Sequence, residues 1–214
     1  MGARAALLAI GRLAACAPAP GGKMIKHKGW HSRGYLPHFD SPGIIQSITY
    51  RLWDALPADV VESLMADAET MDDAAKYARV EEYLNAGYGA CYLRQPQIAE
   101  IIEGNWLHFD GKRYKLIAWV VMPNHVHVMI EIFMGHPLDR VIHSWKSYTA
   151  TVANGLLKRK GKFWFADYYD RYIRDERHFA NTVNYIHENP VKAGLVAKAE
   201  DWPYSSARLW NTGC

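Results

Sequence analysis

Cysteine is scarce: Cys16, Cys91 and Cys214 are the only three, scattered along 214 residues. So few, so widely spaced, exclude a disulfide framework and a thiolate zinc site, and a reducing cytoplasm is the compartment that fits. Long apolar runs are missing as well. Half of the residues are hydrophobic, yet no stretch approaches the ~18 needed to span a bilayer. A soluble globular protein with no membrane partner is expected. There is no internal repeat, and no low-complexity tract beyond the amino-terminal leader. A strong overall charge is also absent, the net value being +3.

What is present is uneven. Between Asp54 and Gly87 nine acidic residues face two basic ones, a balance of −7. Between Leu138 and Arg177 nine basic residues face five acidic ones, a balance of +4, with Lys158, Arg159, Lys160 and Lys162 close together. The second cluster is either an ordinary solvated face or a contact for a phosphate-rich partner. The amino terminus superficially resembles a short export signal, but Arg12 interrupts an apolar stretch that is already brief. Residues 1–28 are set aside as a disordered leader or a mis-assigned start, with Met24 the preferred start. Residues 29–208 form the expected single domain, with a helical insertion at about 54–109, and 209–214 a tail.

Periodicity supplies the elements. Ile44 to Trp53 alternates as a strand, with Ile44, Ile48, Tyr50 and Leu52 on one face and Ser47, Thr49 and Arg51 on the other. Helices are expected from Pro57 to about Ala68, from Asp72 to Asn85, and from Pro96 to about Phe109. Two β-branched runs flank the turn-like Met122-Pro123-Asn124. The longest helix is predicted from Pro137 to about Lys158, its apolar stripe being Val141, Trp145, Tyr148, Val152 and Leu156. An aromatic strand lies within Phe163 to Ile173. A last core helix runs from Asp175 to Glu188, where Pro190 is expected to end it. This order suggests an α+β protein: a ferredoxin-like antiparallel sheet with helices on one face and a helical insertion after the first strand.

Chemistry enters at Asn124-His125-Val126-His127. Alternate side chains of a strand share a face, so His125 and His127 project together, about 7 Å apart along the strand, while Val126, Val128 and Ile130 face the core. Such a pair is a candidate metal site, although in a chain with ten histidines it is also what chance produces. On the last helix Phe179, Val183 and Ile186 define the buried stripe. Tyr185 and Asn189 sit roughly 80–120° away from it and, four residues apart, share a face. A phenol with pKa near 10 is a poor nucleophile unless its oxygen or its target is activated. A divalent ion on the two imidazoles would polarise a phosphate for attack by Tyr185, and Asn189 offers an amide oxygen as third ligand. Mg²⁺ ordinarily prefers carboxylates, so on ligand softness Mn²⁺ is an equal candidate for this donor set.

The run Ala118-Trp119-Val120-Val121-Met122-Pro123-Asn124-His125-Val126-His127 resembles the histidine motif of single-tyrosine HUH transposases, and Tyr185-Ile186-His187-Glu188-Asn189-Pro190-Val191-Lys192-Ala193-Gly194-Leu195-Val196 resembles their tyrosine helix. With Tyr168-Tyr169-Asp170-Arg171-Tyr172-Ile173-Arg174-Asp175-Glu176 and Trp202-Pro203-Tyr204-Ser205-Ser206, the pattern is most similar to the REP-associated tyrosine transposase branch, over about Gly29 to Arg208. The resemblance implies a ferredoxin-like sheet and cleavage of single-stranded DNA at a hairpin or repeat through a 5′-phosphotyrosine intermediate, with strand transfer by reversal. It implies metal binding by His125 and His127 and attack by Tyr185. Asn189 stands where related transposases carry a glutamine ligand. Lys146, Arg171 and Arg174 are candidate DNA-phosphate contacts. Tyr168, Tyr169 and Tyr172 are rival nucleophiles, and Trp164, Trp202 and Tyr204 candidate base-stacking residues. Two alternatives stay open: a metal-dependent phosphodiester hydrolase, and a non-catalytic nucleic-acid-binding module. Either a monomer or a homodimer is compatible with the sequence.

Overall fold

The computed structural model describes residues 26–32, 37–66 and 73–210. The expectations for residues 1–25, for the segment between the two acidic helices and for residues 211–214 lie outside these. His27 and Lys28 are part of the fold: His27 Nδ1 meets Asp40 at 2.8 Å and the Lys28 ammonium donates to Asp139 at 2.6 Å.

The first two strands, β1 (Gly29–Ser32) and β2 (Pro37–Asp40), pair antiparallel as a separate ribbon. The alternation expected for Ile44 to Trp53 gives β3 (Ile45–Arg51). The acidic stretch forms α1 (Ala58–Ala66) and α2 (Asp73–Asn85). Then come α3 (Pro96–Phe109), β4 (Tyr114–Val121), β5 (His125–Ile132), α4 (Leu138–Leu156), β6 (Tyr169–Tyr172), α5 (Glu176–Lys192) and the short α6 (Ala207–Trp210). The main sheet has the order β4-β5-β3-β6, antiparallel throughout. From β3 to β6 the chain reads β-α-β-β-α-β, the split arrangement expected for a ferredoxin-like α+β fold. Of the stretch 54–109, α3 is the first crossover helix of this unit, so only α1 and α2 stand outside the repeat.

Two cores sandwich the sheet. On one face Ile48, Tyr50, Leu52, Val126, Val128 and Ile130 pack with Ile98, Ile102 and Trp106 of α3 and Val141, Ile142 and Trp145 of α4. On the other, Ala118, Val120, Met122 and Met129 meet Phe179, Val183 and Ile186 of α5. The helices are therefore divided between the two faces, where all were expected on one. The sequence pattern already contains the reason: Ala118, Val120, Met122 and Met129 make the histidine-bearing face apolar, and an apolar sheet face needs a cover.

Two helical details also differ from expectation. In α4 the buried stripe is Leu138, Val141, Ile142, Trp145, Thr149 and Ala153, while Tyr148 and Leu156 are 53% and 50% exposed. Thr149 is accommodated because its hydroxyl donates to the Trp145 carbonyl at 2.7 Å and accepts from Trp164 Nε1 at 2.9 Å. Pro190 does not end α5 but lies within its last turn. It removes a single donor there, and Ala193 N to Asn189 O at 3.0 Å and Leu195 N to Pro190 O at 2.9 Å close the terminus.

Candidate active site

β5 and α5 deliver the two motifs to one place. Strand pairing sets His127 opposite Thr49 and His125 opposite Arg51, and both imidazoles are fully buried. Their Nε2 atoms face each other at 3.1 Å. His125 Nδ1 lies 2.7 Å from Asn124 Oδ1, and the Asn124 amide nitrogen donates to the Tyr88 carbonyl at 3.0 Å. An amide oxygen only accepts. His125 therefore carries its proton on Nδ1 and turns a lone pair inward from Nε2. His127 Nδ1 sits 2.7 Å from the Thr49 hydroxyl, which can donate or accept. With Thr49 donating, His127 Nε2–H bonds to His125; with Thr49 accepting, His127 Nε2 presents a second lone pair. Burial lowers the pKa of His125 well below its ordinary value, and the neighbouring His127 lowers it further. Burial also lowers that of His127, with Glu81 opposing. Both shifts favour the neutral ring, the state in which imidazole binds metal.

Tyr185 stands at the edge of this pair. Its ring meets that of His127 edge-on, with centroids 5.3 Å apart, and its hydroxyl donates to the Glu81 carboxylate. The Lys192 ammonium lies 5.0 Å over the same ring. One turn along α5, Asn189 is 1% exposed, and neither its amide oxygen nor its amide nitrogen has a hydrogen-bond partner. A buried amide left unpaired on both atoms is costly. The two imidazoles with facing Nε2 atoms, and this amide on the neighbouring helix, are the residues that could hold a divalent cation. Among the described residues no group of three or more His, Cys, Asp or Glu side chains is already spaced to hold a metal.

The remaining sequence candidates separate. Arg171 lines an open cleft of about 300 Å³ together with Ser47, Tyr169, His178, Asn181, Thr182 and Tyr185. Arg174 lines the neighbouring hollow with Trp30, Phe39, Tyr169 and Tyr172. Lys146 does not join them. Its ammonium donates to the carbonyls of Phe165, Ala166 and Asp167 at 2.6, 2.8 and 3.2 Å, because the loop entering β6 passes over α4. Tyr168 is buried against His38, with ring centroids 4.4 Å apart. Trp164 is a core residue, and Trp202 Nε1 donates to the Val121 carbonyl at 2.9 Å. The Trp-Pro-Tyr-Ser-Ser motif closes the β4 edge, Val121 N and Ser206 N donating to the Tyr204 and Trp119 carbonyls. Glu81, Thr49, Asn124 and Lys192 are site residues to which sequence reasoning gave no role. Asn124 adjoins His125 and Lys192 lies seven residues after Tyr185, so both were within reach. Thr49 depends on strand register and Glu81 on packing of the insertion.

Residues 95–189 match the family model described as "Transposase IS200 like". The chain is also similar to REP-associated tyrosine transposases. It is 32% identical over 95 residues to the REP-associated tyrosine transposase of Escherichia coli strain K12, covering 44% of this chain and 54% of that one. It is 27% identical over 103 residues to a Haemophilus influenzae protein of similar name, covering 44% and 58%. The matches thus span little more than half the length of these relatives. A solved structure of a REP-associated tyrosine transposase bound to a REP hairpin superposes with a TM-score of 0.51 at 18% identity, over 80% of this chain and 81% of that one, and shares the fold. No helix among the described residues is long and apolar enough to cross a membrane.

Proposed function

We propose that this chain is a metal-dependent, transposase-like endonuclease that cleaves and rejoins single-stranded DNA at hairpin or repeat sequences. One observation carries the reading: a buried histidine pair with its Nε2 atoms 3.1 Å apart and a tyrosine ring edge-on against it. The Tyr185 oxygen attacks the scissile phosphorus, its proton leaves, and the 3′ oxygen departs as a hydroxyl. The 5′ phosphate remains on the tyrosine. Attack by another 3′-OH reverses the step, so no external energy source is needed. Mg²⁺ or Mn²⁺ bound by His125, His127 and Asn189 would neutralise charge developing on the phosphate oxygens. Arg171, Arg174 and Lys192 hold the flanking phosphates. The similarity to a protein solved with a REP hairpin supports hairpin DNA as the partner.

The test is a denaturing gel of the protein with labelled single-stranded hairpin oligonucleotides, with and without Mn²⁺ or Mg²⁺. A metal-dependent covalent adduct is expected, absent in Tyr185→Phe. An adduct surviving in that variant would shift the nucleophile to Tyr169 in the same cleft. Cleavage without an adduct would favour a hydrolase, and binding alone a non-catalytic module.

A further inference from the structure

We propose that Glu81, carried by the inserted helix α2, is a ligand of the divalent ion at the histidine pair; this rests on the metal-dependent reading above. Glu81 is 8% exposed and reaches the site from 104 residues before Tyr185. One carboxylate oxygen accepts from the Tyr185 hydroxyl and lies 3.8 Å from His127 Nε2. Its other oxygen is buried with no hydrogen-bond partner. Two neutral imidazoles and an amide bring no negative charge to a buried dication, and hard ions such as Mg²⁺ and Mn²⁺ select carboxylate oxygen. Glu81 supplies both the charge and the hard donor.

The histidine pair already has the spacing this needs, and Glu81 stands just outside it. Two donors at right angles, each about 2.1 Å from one ion, are ~3.0 Å apart, which the histidine Nε2 atoms at 3.1 Å already match. The Glu81 oxygen, at 3.8 Å, needs a shift of under about 1 Å on the same estimate. The acidic insertion thereby acquires a local role, since it brings the carboxylate that, among the described residues, touches the site.

The experiment is Mn²⁺ titration of the full chain, followed by electron paramagnetic resonance of the free ion, on wild type, Glu81→Gln, His127→Ala and Glu82→Gln, with circular dichroism to verify folding. Glu82, the exposed neighbour on α2, is the control. Expected are at least tenfold weaker Mn²⁺ binding in Glu81→Gln and His127→Ala and unchanged binding in Glu82→Gln. Partial recovery in Glu81→Asp would separate ligation from packing. Wild-type affinity in Glu81→Gln alongside loss in His127→Ala overturns the assignment of Glu81 alone. Absence of Mn²⁺ binding to wild type overturns the metal-dependent reading with it. A folded Glu81→Gln that binds Mn²⁺ normally but forms no DNA adduct would confine Glu81 to Tyr185 and also overturns ligation.

Discussion

The amide oxygen of Asn124 accepts from Nδ1 of His125 at 2.7 Å while the amide nitrogen of Asn124 is held by the Tyr88 carbonyl. This pins the His125 tautomer from behind, as outer partners do for metal-binding histidines. Asn124→Ala is expected to lower Mn²⁺ affinity and adduct yield by roughly 10- to 100-fold while the protein remains folded. Mn²⁺ titration and the adduct gel check it. Thr49→Val should act in the same direction through His127.

Gly89 controls the loop behind Asn124. Its φ is +86°, and a Cβ there would collide with the Asp54 backbone, while Ala90 N donates to the Asp54 carboxylate at 2.9 Å. Gly89→Ala should destabilise by more than about 1 kcal/mol, since the left-handed strain and the collision add. Thermal denaturation measures this. Mn²⁺ affinity should also fall, because Tyr88, which anchors Asn124, is the residue just before Gly89.

Lys146 and Arg171 should fail in opposite ways. Lys146→Ala removes three bonds to carbonyls beneath the Phe165–Asp167 loop and is expected to lower stability by about 1–3 kcal/mol without changing the salt dependence of DNA binding. Arg171→Ala, on the cleft shared with Tyr185, should leave stability nearly unchanged. It should weaken hairpin binding and reduce the slope of log K against log salt by roughly 0.7–1. Urea titration and binding across a salt series separate the two.

His38 makes stability sensitive to alkaline pH. Burial works against its charge, but hydrogen bonds and charge from Asp167 and Asp170 outweigh it and raise the pKa to about 9. A pKa raised above the ordinary 6.5 means that the contribution is complete below about pH 6.5 and disappears as pH rises through about 9. Its size is at most about 3 kcal/mol. The stability difference between wild type and His38→Asn should therefore be large at pH 6 and shrink by pH 10. Urea titrations at both values measure it. An unchanged difference would mean that His38 holds the β1–β2 ribbon by shape and not by charge.

Much of the site could be read from local periodicity. Alternation along β5 decides that His125 and His127 share a face, and helical spacing decides that Tyr185 and Asn189 do, because both patterns are properties of the backbone. The same periodicity cannot choose between adjacent stripes about 100° apart, which is why Tyr148 and Leu156 were expected inside α4 and Thr149 was not. The ribbon of β1 and β2 escaped notice because four-residue strands are too short to show alternation.

By itself, then, the sequence determined the α+β class, the β-α-β-β-α-β order and the two pairs of chemical side chains, all consequences of short-range repeat and composition. Tertiary structure alone decided which face each helix covers, that Thr49 stands opposite His127, that Lys146 is spent on a loop, and that Glu81 meets Tyr185 across 104 residues. These depend on strand register and on how an insertion packs, and no local spacing encodes a contact between residues so far apart along the chain.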